Sequence, residues 1–198
     1  MRGDTIVTTI SQEESTILRT AIFLDRDGVI IENRDDYVRH VDDVAFIPAA
    51  INALLTVERW DCVIVMVTNQ ACVGKGIISL ADAQAINHHI IEHVRSIGGR
   101  IDAAYLCPHR ADERCQCRKP KPGMLLKAAR DLNLGLAGSI MIGDAITDME
   151  AARAAGVSAT MVRTGRGARE LAAFTHTTWF SVADDLGAAL AHMTPTSI

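Results

Sequence analysis

Short apolar runs recur along the chain, each closing on polar residues, and this pattern constrains the fold more than any other feature of the sequence. Ala21 to Leu24 ends in Asp-Arg-Asp-Gly, Cys62 to Val67 ends in Thr-Asn-Gln, and Ser139 to Ile142 ends in Gly-Asp. Ile101 to Cys107 and Val157 to Val162 are two further runs, and Thr177 to Phe180 is a candidate edge strand. Runs this short, bounded by polar and glycine residues, read as buried strands. Helical patterns fall between them. Pro48 to Arg59 and Pro122 to Leu134 each open on a proline suited to the first helical position, and Ser79 to Ile97 places Leu80, Ala83, Ile86, Ile90, Val94 and Ile97 at three- and four-residue spacing. Thr147 and Glu150 read as a capping box, with Ser79/Asp82 and Ser181/Asp184 as weaker versions. The expected class is therefore α/β: a Rossmann-like three-layer sandwich with a mainly parallel central sheet and helices on both faces. Ligands in such sheets bind beyond the carboxyl ends of the strands, where the polar endings lie.

Composition narrows the class. With 198 residues, 48% of them hydrophobic and 22% charged, one domain is expected over residues 20–198, preceded by a variable extension at 1–19. Aromatics make up 4%, so the core must come from Ile, Val, Leu, Ala and Met, a palette suited to a buried parallel sheet. Twenty basic residues against 24 acidic ones give a net charge of −4 and no general basic surface for nucleic acid. No apolar run approaches the ~20 residues that span a bilayer, and Asp4, Glu13 and Glu14 interrupt the first residues, so no membrane association and a cytoplasmic location are expected. Five cysteines, an odd number, argue against a disulfide framework. Cys62, at a strand start, is expected to be buried, and Cys72, in the stretch Ala71 to Gly76, more exposed.

The strand endings carry the chemistry. In an extended segment Asp25 and Asp27 point to the same side, with Gly28 letting the chain turn away. Asp144 closes another strand and brings a third oxygen donor, with Asp148 one helical turn later. Carboxylates this close repel unless a cation lies between them, and an oxygen-rich, partly hydrated site prefers Mg²⁺. A carboxylate can then attack phosphorus to form an acyl phosphate while a second carboxyl group protonates the leaving oxygen. Asp25 and Asp27 suit these roles, and the Thr68 hydroxyl and Lys119 ammonium suit the phosphoryl oxygens.

Cys107, His109, Cys115 and Cys117 place four soft ligands within eleven residues. Tetrahedral Zn²⁺ is the natural occupant, and a Cys3His set with no open position is structural rather than catalytic. Arg118 and Lys119 follow directly, so the loop would fix both cations near the carboxylates.

Together, DRDG at 25–28, TNQ at 68–70, CRKP at 117–120 and GDAITD at 143–148 resemble the haloacid dehalogenase-type phosphohydrolases over nearly three quarters of the chain. The resemblance implies Asp25 as nucleophile, Asp27 as general acid/base, Thr68 and Lys119 as phosphoryl stabilisers, Asp148 in support behind them, and magnesium held by Asp25, the Asp27 backbone carbonyl and Asp144. The zinc loop before CRKP is similar to a narrower group, the heptose 1,7-bisphosphate 7-phosphatases and histidinol-phosphate phosphatases. DDYV at 35–38, KPGMLL at 121–126, TDMEAARAAGV at 147–157 and VRTGRG at 162–167 extend the similarity to the heptose enzymes. That implies a phosphorylated sugar substrate in lipopolysaccharide carbohydrate metabolism, with histidinol phosphate as the alternative. A non-catalytic zinc-loop module that binds phosphorylated ligands is a third reading.

The segment Ile31 to His40 is too short for a large cap domain, so loops alone should cover the site. Asn33, Arg34, Asp35, Asp36 and Tyr37 offer donors and acceptors for sugar hydroxyls, Asn69 and Gln70 are further candidate contacts, and Arg118 is a candidate for a second phosphate. Lys75 and Arg39 are weaker candidates. His88, His89 and His93 share a helix, without a carboxylate signature, and read as a solvated face. With no long amphipathic helix left over, a monomer is expected.

Overall fold

The computed structural model describes residues 18–174, 179–191 and 193. Six strands form one sheet: β1 (Thr20–Leu24), β2 (Cys62–Asn69), β3 (Ala103–Cys107), β4 (Ile140–Gly143), β5 (Ser158–Val162) and β6 (Ser181–Ala183). Their order is β3-β2-β1-β4-β5-β6 and every pairing is parallel. The helices are α1 (Pro48–Thr56), α2 (Ala71–Gly74), α3 (Leu80–Ser96), α4 (Gly123–Leu132), α5 (Ile146–Ala155), α6 (Gly167–Ala173) and α7 (Leu186–Ala191). Among the described residues no helix is long and apolar enough to cross a membrane.

Period-two alternation explains the two main cores. Ile22, Leu24, Ile64 and Met66 face one layer, where they meet Leu54 of α1, Ile86, Ile90 and Val94 of α3, and Leu186 and Leu190 of α7. Ala21, Phe23, Val63, Val65 and Val67 face the other, against Met124, Leu125 and Ala128 of α4 and Ala152 of α5. Buried on both faces, the central strands read as continuous apolar runs.

The chain winds outward from β1 in one direction through β2 and β3, and in the other through β4, β5 and β6. The direction reverses between β1 and β4, where Leu24 lies opposite Ile142. Helix connections part at such a switch point and leave a crevice beyond the strand ends. Asp25 and Asp144 stand there. In the connection from β1 to α1 the described secondary structure is a 3-10 turn at Val41–Asp43 and isolated bridges between Asp27 and Ile31 and between Ile31 and Phe46, so no cap domain is inserted.

Three helix starts depart from expectation. The Ser79/Asp82 box forms, with Asp82 N donating to Ser79 Oγ at 3.1 Å and Ser79 N to Asp82 Oδ2 at 2.9 Å. The Thr147/Glu150 box does not: α5 begins at Ile146, and its capping carboxylate is the buried Asp148, whose Oδ2 accepts from Ala145 N at 3.1 Å. Nor does the Ser181/Asp184 box, because Ser181 pairs within β6 and Asp185 Oδ1 accepts from Ala188 N at 2.8 Å instead. Pro122 sits one residue before α4, at its cap. Of the anticipated edge strand, Thr177 and Thr178 lie outside the described residues; the strand seen is Ser181–Ala183.

Cys62 is buried as expected, whereas Cys72 is fully buried against expectation. The stretch at 71–74 closes into a helical turn rather than an open loop, and this brings the Cys72 Sγ to 3.5 Å from Gln70 Oε1. His88 and His89 are exposed, but His93 is half-buried, its ring stacked on Phe46 at 4.0 Å.

Candidate active site

Backbone geometry delivers the carboxylates. Asp25 N donates to Ile142 O at 3.0 Å, which extends the β1–β4 ladder one residue past the strand and carries Asp25 to the rim. Gly28 then turns the chain with φ +83°, and a Cβ there would overlap the Asp144 carboxylate. Only glycine suits that conformation and that approach.

Asp25, Asp144 and Asp148 bring carboxylate oxygens within 4.8 Å of one another, all three buried. Lys119 joins them from the loop after Cys117, its Nζ 2.9 Å from Asp25 Oδ1 and 2.6 Å from Asp148 Oδ1. The same Nζ donates to Val67 O at 2.9 Å, and the Lys119 backbone is clamped by Asn69, whose Oδ1 accepts from Lys119 N at 3.1 Å while its Nδ2 donates to Lys119 O at 3.0 Å.

Three buried carboxylates around one buried ammonium leave the cluster negative. Burial raises the Asp25 pKa to about 6, opposed by Lys119 and assisted by Asp148 and Asp27. Burial likewise raises Asp144 to about 6, with Asp25 adding to it, and raises Asp148. Lys119 is pulled down by burial, but Asp148 and Asp25 override this and hold its ammonium above the ordinary lysine value. Asp144 Oδ2 accepts from Arg166 N at 2.8 Å, yet its Oδ1 is buried without a hydrogen bond, the Arg166 guanidinium standing 3.5 Å away. Excess negative charge and an orphaned carboxylate oxygen fit a hard divalent cation held by oxygen.

The pKa shifts make the fit testable. Raised carboxylates hold more protons in the folded than in the unfolded chain between about pH 4 and 6, so the metal-free protein loses stability as pH rises through that window. Above it the cost is fully present, and a divalent cation relieves it. Saturating Mg²⁺ should raise the melting temperature by several degrees at about pH 8 and by roughly 1 °C or less at about pH 5. Equal shifts at both pH values, read by calorimetry, would refute cation binding at these carboxylates.

Asp27 does not join the cluster of three. Its carboxylate is gripped by Arg26, Nε to Oδ2 and Nη2 to Oδ1, both at 3.1 Å, and by Gln70 Nε2 at 2.9 Å to Oδ2. Gln70 Nε2 also donates to Thr68 Oγ1 at 2.7 Å, linking the buried Thr68 to Asp27. Arg26 is itself 1% exposed and anchored by Asn87 Oδ1 of α3 at 3.0 Å.

A cavity of about 300 Å³ opens beside Asp27. Of the anticipated substrate contacts, Asn33, Tyr37, Asn69 and Gln70 line it, as do Arg34 and Asp35. Asp36 does not: it pairs with Arg34 and Arg39, 3.3 Å from each. Arg118 does not either: its Nη1 donates to His109 O at 3.2 Å, and it borders a smaller cleft of about 140 Å³ by the cysteine loop that Lys119 also lines. Lys75 meets the cavity only through Tyr37, donating to its hydroxyl at 2.8 Å. Sequence reasoning passed over Arg26, Asn87 and Arg169 and assigned no role to Arg166; alternation places Arg26 opposite the aspartates, and no local spacing ties Arg166 to Asp144.

The second cluster is compact. The Cys117 Sγ lies 3.2 Å from Cys107 Sγ, 3.5 Å from Cys115 Sγ and 3.3 Å from His109 Nδ1, and the Cys107 Sγ is 3.6 Å from both Cys115 Sγ and His109 Nδ1. A zinc-centred sulfur tetrahedron has edges of about 3.8 Å. Four soft donors at slightly shorter separations thus fit that ion. The loop is tied to the main site through Gln70 N, which donates to Cys107 O at 2.7 Å.

A HAD-hydrolase-like family model matches residues 116–189. The chain is 38% identical over 153 residues to the D-glycero-beta-D-manno-heptose-1,7-bisphosphate 7-phosphatase of Pseudomonas aeruginosa, covering 77% of this chain and 86% of that protein. It is 36% identical over 151 residues to the Bordetella bronchiseptica enzyme of the same name, covering 76% and 84%. The crystal structure of the B. bronchiseptica D,D-heptose 1,7-bisphosphate phosphatase, complexed with magnesium and phosphate, superposes with a TM-score of 0.82 at 34% identity, covering 87% of this chain and 96% of that one. With parallel topology, switch-point carboxylates and these similarities in agreement, the chain belongs to the haloacid dehalogenase-like hydrolases, in the group of the heptose-bisphosphate phosphatases.

Proposed function

We propose that this protein is a phosphatase that removes the 7-phosphate of D-glycero-D-manno-heptose 1,7-bisphosphate through an aspartyl phosphate. The observation that carries the reaction type is the convergence of Asp25, Asp144 and Asp148 on Lys119 at the switch point, beside Asp27. The names of the relatives support the sugar.

Asp25 is the nucleophile. Lys119 and Arg26 N both bond its Oδ1, leaving Oδ2 without a protein hydrogen bond among the described residues and free to attack phosphorus. As the phosphorus–oxygen bond to the sugar breaks, Asp27 passes a proton to the departing oxygen. Asp27 then takes a proton from the water that attacks the aspartyl phosphate, and Asp25 is regenerated as inorganic phosphate leaves. Thr68 and Lys119 hold the equatorial oxygens, each well-placed donor supplying roughly 3 kcal/mol. Asp148 keeps Lys119 charged and in place. Magnesium, held by Asp25, the Asp27 carbonyl and Asp144, supplies further charge neutralisation for the phosphoryl group. Zinc in the Cys107, His109, Cys115 and Cys117 set is structural: it fixes the loop that presents Lys119. Asn33, Tyr37, Asn69 and Gln70 contact the sugar. The catalytic unit is the single domain 20–198, acting as a cytoplasmic monomer.

Phosphate release measured with Mg²⁺ from both anomers of the heptose bisphosphate, histidinol phosphate and fructose 1,6-bisphosphate tests this. One heptose anomer should be favoured by at least about tenfold in kcat/KM, or ~1.4 kcal/mol. Preference for histidinol phosphate would replace the sugar assignment, and absence of turnover on all four would leave a phosphate-binding module.

A further inference from the structure

Helix α3 buries one face through Ala83, Ile86, Ile90 and Val94, at three- and four-residue spacing. Asn87 stands on that same face, four residues after Ala83 and three before Ile90, and is also buried. An amide there displaces apolar packing and costs stability unless its polar atoms are paired. The helix has no local use for it, since its start is capped by Ser79 and Asp82. Its partner lies 61 residues back in the chain: Asn87 Oδ1 accepts from Arg26 Nη1 at 3.0 Å.

The Arg26 guanidinium is held at one end and holds at the other. Nη1 donates to Asn87, while Nε and Nη2 fork onto Asp27 Oδ2 and Oδ1, and among the described residues it bonds no other side chain. A guanidinium is rigid and planar, so fixing Nη1 fixes the plane and direction of the fork. Asp27 is the end that meets substrate: it lines the cavity and keeps 20% of its side chain exposed, against 1% for Arg26. Its Oδ2 accepts from both Arg26 and Gln70, whereas Oδ1 accepts from Arg26 alone and has room for the proton exchanged with substrate.

We propose that Asn87 is a positioning residue for proton transfer: by holding Arg26 Nη1, it sets the angle at which Asp27 presents its carboxyl group to the departing oxygen. This rests on the assignment of Asp27 as general acid in the phosphatase reading above, but not on the identity of the sugar. Without Asn87, Arg26 keeps its charge and its pairing with Asp27, yet the pair loses its fixed direction. Asp25 attacks phosphorus as before, so the loss falls on substrates whose leaving oxygen needs the proton.

Substituted phenyl phosphates test this, because they are alike in shape and differ in that need: 4-nitrophenolate departs unaided, whereas the more basic phenolate gains from protonation. In Asn87→Ala, kcat/KM should fall about tenfold or more for phenyl phosphate and no more than about twofold for 4-nitrophenyl phosphate. Asn87→Asp keeps an acceptor oxygen for Nη1 and should recover part of the loss. In an Asp27→Asn background, Asn87→Ala should have no further effect on phenyl phosphate or on any sugar phosphate turned over. Both esters are read on one sample, so a partly folded preparation lowers both rates alike, and Asn87→Ser takes the place of Asn87→Ala if that variant does not fold. Equal loss on the two esters, or an undiminished loss in the Asp27→Asn background on whichever ester is turned over, overturns the proposal and leaves the phosphatase reading intact. Wild type that turns over neither the phenyl nor the sugar phosphates removes that reading and this inference with it.

Discussion

Asp25→Asn should abolish phosphate release, lowering kcat by at least about 10⁴-fold, the scale of losing a covalent nucleophile. The amide is nearly isosteric, so shape is kept while the attacking oxygen loses its charge. No phosphorylated protein should then be seen by denaturing mass spectrometry after rapid quench. Stability should move the other way. The ionised Asp25 carboxylate is disfavoured by burial and by Asp148 and Asp27 more than Lys119 favours it, which is why its pKa stands near 6. Removing that charge in the metal-free protein at neutral pH should leave the melting temperature unchanged or raise it. Activity within about tenfold of wild type would exclude Asp25 as the nucleophile.

Loss of the metal at the cysteine loop should be nearly as damaging, and by a different route. Cys107 is fully buried at the end of β3, and Cys117 is two residues before Lys119. Between them runs a polar segment, Arg110 to Gln116, without a core of its own. Without a cation, burial and the neighbouring thiols hold the Cys107 thiol well above its ordinary pKa. A bound Zn²⁺ stabilises all the thiolates together, and its binding energy becomes folding energy for the loop. Cys107→Ser, or removal of zinc with a chelator followed by restoration of Mg²⁺ alone, should cost at least about 3 kcal/mol, or roughly 10 °C in melting temperature. Turnover should fall about a hundredfold as Lys119 leaves Asp25 and Asp148. Hydrogen exchange should quicken across 107–119, and Zn²⁺ rather than extra Mg²⁺ should reverse it. Native protein without zinc, or Cys107→Ser with full activity, would remove the loop from this role.

The fold and the main cluster were legible because their signals are local. Apolar runs such as Cys62 to Val67 declare a strand buried on both faces, and the residue after each run falls at the sheet's carboxyl edge whatever the rest of the chain does. Gly28, Asp144 and the four soft ligands at 107–117 are read the same way, through spacing that backbone geometry obliges. The capping of α5 was misread because Asp148 serves both the helix end and the Lys119 pair, and burial outweighs the local Thr-x-x-Glu pattern. Cys72 was misread because one helical turn at 71–74 decides which way it faces.

The sequence by itself determined the alternation of strands and helices, the sheet type, two candidate metal-binding sets and the neighbourhood of Asp25, Thr68 and Lys119. Each of these follows from short-range periodicity and from residue chemistry that does not depend on distant partners. Only the tertiary structure decided which cations are already neutralised. Arg166 against Asp144 across 22 residues, Arg26 held by Asn87 of α3, and Arg118 turned to the His109 carbonyl without a carboxylate are outcomes of packing between segments apart in the chain. Coulomb energy falls with separation in space, and chain distance does not reveal that separation until the sheet has brought its loops together.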